Sequence, residues 1–314
     1  MKQGAVRSDY LDWLAQALEV ERAATPLPDG DVVVGYATGY DAADIAPFVL
    51  SLRAVFYGPV ALVVDADAEL RRFLAQNDVT AVDPPIWRGW APHPVMQRFA
   101  AFAGLLGDRP GAALACDVRD VIFQAPPFAP APATLEAFIE ADAPLADHAF
   151  NMKYLRALFG DAQARQMGPQ ACLCVGTVLG PRAEVARLSR LILSLAATPR
   201  SEIGGAFGAD QAAFNLAIHQ GLVAATIQPN YGRVATLGLT PGDRLSFQDG
   251  RVVNPDGTAS PVVHQHDRHP HLDAAVHALW GGGLEHRKRM RLKSVGERLA
   301  KLRASLRRRT PELR

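Results

Sequence analysis

The chain has 314 residues, of which 49% are hydrophobic and 21% charged, an ordinary composition for a protein with one large α/β core. It has no run of about 18 apolar residues, and Asp9 and Asp12 precede any long apolar stretch, so neither a membrane-spanning helix nor a signal peptide is expected. Three cysteines are too few for a disulfide framework, and a cytoplasmic location is predicted.

The net charge of +1 hides an uneven distribution of charge along the chain. Residues 286–314 contain twelve of the 33 Lys and Arg residues but two of the 32 Asp and Glu residues. The body of the protein is therefore acidic and its C-terminal tail strongly basic.

Predicted helices and strands alternate in the first half of the chain. The pattern of apolar residues predicts helices at 8–23, 42–55, 68–76 and 95–106, and strands at 31–36, 59–64, 79–82 and 112–116. This alternation indicates βαβ units, and hence a mostly parallel sheet with right-handed crossovers. Ligands of such open sheets bind beyond the carboxyl ends of the strands, where Tyr40, Asp65, Asp117 and Asp120 lie.

The second half is less regular. We predict a strand at 172–179, helices at 182–196 and 210–220, a hairpin region at 243–257 and a short strand at 261–264. Cys172 and Cys174 alternate with apolar residues as in a strand, and a metal role for them is disfavoured because zinc sites normally contain two such pairs.

Two carboxylates, Asp117 and Asp120, follow the apolar run 112–116 at the edge of the predicted core. An unpaired charge there is costly, so the acids need a partner. One explanation is a hard divalent cation, since Mg²⁺ is typically bound by one or two carboxylates and substrate phosphates. The alternative is a structural Asp/Arg ion pair at the strand end, which imitates a functional site.

Two further polar groups could carry chemistry. The first is Asp210-Gln211 with Asn215. The second contains His264, His266, Asp267 and His269, at the end of the last predicted strand. A neutral imidazole at a strand end is a natural metal ligand. A histidine cluster in a loop is nevertheless more often solvated than bound to a metal.

Residues 117–128, DVRDVIFQAPPF, resemble a block of nucleotide-sugar glycosyltransferases with the GT-A fold, of bacterial and plant types. The resemblance extends in the expected order over roughly residues 30–272 and includes Arg98-Phe99, 176–180 (GTVLG), Asp210-Gln211 with Asn215, and 264–270 (HQHDRHP). It implies an α/β, GT-A-like (Rossmann-like) domain with a mostly parallel central sheet flanked by helices. It also implies a nucleotide-sugar donor and Mn²⁺ or Mg²⁺.

In such enzymes a D-x-D motif, often with a later histidine, holds the metal against the donor diphosphate. If Asp117 is aligned with the first acid of D-x-D, Arg119 takes the place of the second acid. If the apolar triplet 121–123 is aligned instead, Asp120 is the second acid and Val118 takes the place of the first. The resemblance favours Asp120 and His264 as metal ligands, with Asp117 contacting the ribose or the metal. Arg119 could instead pair with the diphosphate, which would weaken the metal requirement.

The resemblance also suggests residues that bind the donor. Thr38, Gly39 and Tyr40 match the loop that holds the nucleobase, on which Tyr40 would stack unless it is a packed loop aromatic. Arg98 belongs to the same set. Asp65-Ala66-Asp67 has the form D-x-D, but it follows the second strand, earlier in the chain than the resemblance requires. Asp65 is therefore assigned to the nucleobase side of the donor site or to a solvated edge.

Asp210 and Gln211 resemble the acid–amide pair that faces the donor sugar in retaining family 8 relatives, and they are the predicted catalytic residues. The alternative for Asp210 is a helix N-cap. Neither the stereochemistry nor a general base follows from the sequence.

Three segments are predicted: an N-terminal helix in 1–27, a GT-A-like catalytic domain in 28–272 and a basic amphipathic helix in 273–314. In the last segment Leu292, Val295, Leu299, Leu302 and Leu306 recur at steps of three and four residues. This pattern favours docking of residues 285–314 on an anionic membrane surface, and it equally fits self-association or packing on the body. Nucleic acid is disfavoured because no aromatic residues are interleaved.

The predicted function is metal-assisted sugar transfer to a glycan or lipid-linked acceptor in cell-surface or capsular polysaccharide synthesis, at the cytoplasmic face of the inner membrane. One alternative is a nucleotidyltransferase, which would need a Gly-rich phosphate loop, and residues 35–39 (GYATG) are a poor version of one. A non-catalytic scaffold that assembles through the basic tail is the other alternative.

Overall fold

The computed structural model describes residues 8–285, which form nine α-helices and twelve strands. The helices are α1 (Asp9–Ala23), α2 (Ala42–Arg53), α3 (Ala68–Gln76), α4 (Pro94–Leu106), α5 (Ala149–Met167), α6 (Arg182–Leu195), α7 (Ser201–Gly204), α8 (Ala209–His219) and α9 (Pro270–Trp280). The strands are β1 (Val32–Tyr36), β2 (Val60–Val63), β3 (Val79–Val82), β4 (Ala112–Cys116), β5 (Val121–Phe123), β6 (Leu135–Pro144), β7 (Ala171–Pro181), β8 (Ala225–Gln228), β9 (Val234–Thr236), β10 (Ser246–Gln248), β11 (Arg251–Val253) and β12 (Val262–His264).

Seven strands form a central sheet in the order β3-β2-β1-β4-β7-β6-β8. β7 is antiparallel to both of its neighbours, and all the other pairs are parallel. The predicted α/β class, with a mostly parallel sheet flanked by helices, is confirmed. None of the helices within residues 8–285 is long and apolar enough to cross a membrane.

The central sheet is covered by helices on both faces because successive side chains of a strand point to opposite sides. Val32 and Val34 of β1 pack in a cluster with side chains of α1, α4, α6 and α8. Val33, between them, packs with side chains of α2 and α3. All three valines are fully buried, which is the burial expected of strands covered on both faces.

A second sheet has three strands, in the order β5-β12-β9. Its strand β5 is the next strand in the chain after β4. β5 begins directly after Asp120, and its Val121 is paired with His264, the last residue of β12. Leu272 and Val276 of α9 are buried against this small sheet. The small sheet therefore carries a distant histidine back to the acids at the end of β4.

The predicted helices and strands lie within two residues of the observed ones, and the hairpin region contains β10 and β11. The prediction omitted β6, α5, α7, β8 and β9, and it began the C-terminal helix at residue 273, whereas α9 begins at Pro270. In α5 the helical pattern is interrupted by Gly160, whose φ of 84° and ψ of 166° are not helical. The predicted domain boundary at residues 272/273 falls inside α9. The predicted basic helix from 286 onward lies outside the described residues.

Candidate metal centre

Backbone contacts bring the acids that follow β4 together with the end of β12. The amide of Asp117 donates a hydrogen bond to the carbonyl of Gly176 on β7, at 2.7 Å. The amide of Gln265, which follows His264, donates to the carbonyl of Asp120 at 2.8 Å. These bonds fix both acids and the histidine at the carboxyl end of β4.

Asp117, Asp120 and His264 form a compact acid–histidine cluster. Each offers one potential ligand atom, and these atoms lie within 4.8 Å of one another. His264 Nε2 is 3.4 Å from Asp117 Oδ2 and 3.8 Å from Asp120 Oδ1. His264 is fully buried and Asp120 nearly so, whereas the Asp117 side chain is 37% exposed. Solvent therefore reaches the cluster from the side of Asp117.

Burial and neighbouring charges change the pKa values of all three groups. Burial alone would raise the pKa of Asp117, but Arg98 and His264 outweigh it and hold this pKa at about 2. Burial raises the pKa of Asp120, and the charge of Asp117 adds to this effect. Burial would lower the pKa of His264, but Cys174, Asp120 and Asp117 raise it well above its ordinary value. The cluster thus stabilises positive charge at the imidazole.

Two observations on this cluster fit a bound divalent cation. The buried Nε2 of His264 has no hydrogen-bond partner among residues 8–285, although it faces two carboxylates. A Cβ on Gly176 would lie 2.3 Å from His264 Cε1 and 2.7 Å from Asp117 Oδ2, so only a glycine lets these two side chains pack this closely against β7. Carboxylates suit Mg²⁺ and Mn²⁺, and neutral imidazole is a common metal ligand.

Arg98 of α4 ties the cluster to α8. Its guanidinium donates to Asp117 Oδ1 and, at 2.9 Å, to Asp210 Oδ2, and Arg98 is 5% exposed. The N-cap of α8 is Gly208, so the alternative interpretation of Asp210 as an N-cap is wrong. Asp210 lies behind Arg98, which suits a positioning role for both residues.

Arg119 and Tyr40 lie on the outer side of the acids. Arg119 donates to Asp267 Oδ2 at 2.7 Å, and its guanidinium carbon is 5.8 Å from the centre of the Tyr40 ring. The Arg119 side chain is 39% exposed. Burial raises the pKa of Tyr40, and the charges of Asp120 and Asp117 contribute in the same direction. A guanidinium and an aromatic ring thus flank the acid–histidine cluster.

The loop after β1 contacts the end of β2. The amide of Gly39 donates to Asp65 Oδ2 at 2.6 Å, and the side chain of Thr38 lies close enough to Tyr36 to oppose the rise in the pKa of Tyr36 that burial causes. Asp67 accepts a hydrogen bond from the amide of Leu70 and is the N-cap of α3. Both carboxylates of the early D-x-D are exposed and occupied in these local bonds.

Gln211 contacts a group of residues that sequence reasoning missed. Its Nε2 donates to Glu140 Oε2 at 2.7 Å, and Cys172 Sγ donates to the same oxygen at 3.3 Å. Cys174, two residues along β7, has its Sγ 3.6 Å from His264 Nδ1. Glu140 lies on β6, which was not predicted, so its proximity to Gln211 had no signal in the sequence.

The histidines after β12 are not solvated, contrary to expectation. His264 and His266 are fully buried and His269 is 7% exposed. Burial lowers the pKa of His266 to about 3, and His269 Nε2 lies 2.8 Å from the carbonyl of Leu237. Of these histidines, His264 alone belongs to the acid–histidine cluster of the described residues.

Comparison of the chain with known proteins does not assign it to a family. No model of a protein family matches the sequence. No curated protein matches it either.

Proposed function

We propose that the chain is a glycosyltransferase of GT-A-like architecture that moves a sugar from a nucleoside-diphosphate donor to a glycan or lipid-linked acceptor, assisted by Mn²⁺ or Mg²⁺. The observation that carries the proposal is the cluster of Asp117, Asp120 and His264, in which a buried imidazole nitrogen faces two carboxylates without a hydrogen-bond partner. The cluster follows the carboxyl end of β4, where open α/β sheets bind ligands.

The cation would be held by Asp120, His264 and Asp117. When bound, it supplies Lewis-acid stabilisation of the charge on the departing nucleoside diphosphate. Arg98 holds Oδ1 of Asp117, which leaves Oδ2 directed toward His264. This arrangement fixes the ligand and preserves the pKa of about 2 that keeps Asp117 ionised.

Arg119 and Tyr40 suit the nucleotide part of the donor. Arg119 is held by Asp267, and its side chain remains 39% exposed. The paired N–H donors of a guanidinium match the oxygens of a phosphate. The Tyr40 ring beside it packs partly against the core, and its remaining exposed surface is proposed to stack on the nucleobase. Gln211, beside Glu140, is proposed to lie near the anomeric carbon, between donor sugar and acceptor, and the buried Asp210 to position Arg98 behind it.

The two alternative functions explain fewer of these contacts. A nucleotidyltransferase would use free backbone amides after β1 for phosphate, but the Gly39 amide is bonded to Asp65. A scaffold whose acids only cap strands accounts for an ion pair between His264 and Asp117, but it gives no reason for a second acid, Asp120, to be buried beside them. We therefore prefer the transferase, working at the cytoplasmic membrane face in cell-surface or capsular polysaccharide synthesis, with self-association through the basic tail as an open alternative.

The direct test of the cation site is binding of Mn²⁺, followed by the loss of the free-ion signal in electron paramagnetic resonance. We expect the native protein to bind Mn²⁺, and Asp120→Asn and His264→Ala each to weaken binding about tenfold or more. Asp108→Asn, at an exposed acid outside the cluster, is the matched control and should bind as the native protein does. Equal Mn²⁺ affinity in all four proteins would reject the site.

A further inference from the structure

Exposed aromatic rings gather at the N-terminal ends of α5 and α8. Phe207 is 55% exposed and Phe150 is 47% exposed, and their ring centres are 5.9 Å apart. The ring of His93 lies 5.3 Å from that of Phe207. These three residues form an aromatic platform. Clustered apolar side chains with this exposure commonly mark a binding surface.

Polar residues of the same two helices follow the aromatic platform closely in sequence, and they meet at a glutamate of β6. Phe207 precedes Gly208, the N-cap of the helix that carries Gln211, and Phe150 precedes Asn151 in the first turn of α5. Asn151 donates to Cys172 Sγ at 2.9 Å, and Cys172 and Gln211 both donate to Glu140. We call Glu140, Asn151 and Gln211 the polar row.

The polar row has unused hydrogen-bonding capacity. Asn151 is 4% exposed, and its Oδ1 has no hydrogen-bond partner among the described residues. Glu140 is partly exposed to solvent, and both of its hydrogen bonds, from Gln211 and Cys172, are to Oε2. A buried acceptor without a partner is costly unless a ligand or water donates to it.

The polar row is close to the acid–histidine cluster. Cys172 and Cys174 are alternate residues of β7, so their side chains point to the same face of the sheet, about 7 Å apart along the strand. Cys172 contacts Glu140, and Cys174 contacts His264. A molecule bound at the polar row would thus lie about 7 Å along β7 from the residue that contacts His264.

From this juxtaposition we propose that the aromatic platform and the polar row form the acceptor subsite, and that its occupant is a saccharide; this inference rests on the transferase function proposed above. A sugar ring combines an apolar C–H face, which packs on aromatic rings, with hydroxyl groups that donate to carboxylate and amide oxygens. A lipid chain would cover the rings but would leave Asn151 Oδ1 without a hydrogen-bond donor.

Saturation-transfer difference NMR with hexyl β-D-glycosides of glucose, galactose, mannose and N-acetylglucosamine tests the proposal, because each probe carries both a sugar ring and an alkyl chain. We expect saturation of ring C–H protons for at least one probe. Phe207→Ala and Phe150→Ala should reduce that signal about fivefold or more, as the loss of a stacked ring weakens binding by about a factor of ten. Tyr57→Ala removes a still more exposed ring, 88% accessible, that lies before β2 and should leave the signal unchanged.

Three outcomes would overturn the subsite: no ring saturation with any probe, saturation of the alkyl chain alone, or equal signals in native protein and platform variants. Thermal stabilisation by nucleoside diphosphates with Mn²⁺, measured on the same variants, should be unchanged and verifies that they are folded. Nucleotide stabilisation without ring saturation rejects the subsite and keeps the transferase. Ring saturation without nucleotide stabilisation retains a saccharide site and rejects the transferase.

Discussion

At the scale of single residues, Gly176 gives the acid–histidine cluster its room. The Cβ of an alanine there would overlap both His264 and Asp117. We therefore predict that Gly176→Ala weakens Mn²⁺ binding about tenfold or more and costs about 1–3 kcal/mol of unfolding free energy, as overpacking does. Mn²⁺ titration and urea denaturation measure the two effects.

The matched control for this substitution is Gly232→Ala. At Gly232 the nearest atoms to an added Cβ are 3.5 and 3.8 Å away, an ordinary packing distance, so both measurements should stay close to those of the native protein. Native Mn²⁺ affinity in Gly176→Ala would contradict the claim that His264 and Asp117 bind the cation in the positions that Gly176 allows.

Arg98 is predicted to be a major contributor to stability. It is buried and bonded to two carboxylates, so Arg98→Met would leave Asp117 and Asp210 without their cation. Removing one partner of a buried ion pair typically costs about 3–5 kcal/mol. We expect urea denaturation of Arg98→Met to show a loss of unfolding free energy in that range.

The control for Arg98 is Arg187→Met in α6. The pair of Arg187 and Glu184 is exposed, at 60% and 39% of the side chains, so its loss should cost about 1 kcal/mol or less. If Arg98→Met costs no more than this control, the buried bridge does not hold the site together.

The sequence identified the residues of the cluster better than their partners. Asp117, Asp120 and His264 stand at strand ends, and the parallel sheet with its small partner sheet brings such ends together. Arg98 was assigned to the donor, whereas its contacts are to two acids. Periodicity cannot show this bridge, because it depends on how α4 and α8 are placed over the sheet.

At the scale of elements, α5 was missed because Gly160 divides it into two helical pieces. Nothing lies within 4 Å of a Cβ built at Gly160, but its φ of 84° and ψ of 166° strongly favour glycine. We predict that Gly160→Ala costs about 1–3 kcal/mol in urea denaturation purely through backbone strain.

The same Gly232→Ala variant is the control for backbone strain, since its φ lies outside the left-handed region and it should be nearly neutral. A neutral or stabilising Gly160→Ala would mean that α5 continues as a regular helix through this position, because alanine is favoured over glycine by about 1 kcal/mol in a helix interior.

The contrast between predicted and missed elements has a physical basis. β1, β2 and β4 are apolar throughout because both faces of the parallel sheet are covered, and such runs are easily recognised. β6 begins with buried residues but ends with a partly exposed half that contains Glu140 and Asp142. Its position beside β7 is fixed by long-range pairing rather than by local pattern.

At the scale of the whole molecule, residues 286–314 are predicted to add membrane affinity without supporting the fold. Residues 8–285 contain a buried core of their own, which extends from Tyr10 to Val276. A chain that ends at Glu285 should therefore keep the native urea midpoint. Its binding to vesicles with phosphatidylglycerol should fall steeply, because each nearby Lys or Arg contributes about 1 kcal/mol at an anionic surface.

Vesicles of phosphatidylcholine alone are the control for this truncation, and neither form of the protein should bind them. Unchanged vesicle binding after truncation, or a loss of oligomers without any effect on vesicles, would contradict membrane docking and favour the self-association alternative.

The most direct test of the transferase is the thermal stability of the native protein with UDP, GDP, ADP, CDP and their sugar derivatives, each with Mn²⁺, Mg²⁺ or EDTA. A ligand at about 100 times its Kd stabilises a protein by roughly 2.7 kcal/mol. We predict stabilisation by one nucleotide class that needs the divalent cation and disappears in Asp120→Ala and His264→Ala. Stabilisation that survives EDTA would move phosphate binding to Arg119 and contradict the metal centre, and no stabilisation by any nucleotide would contradict the function itself.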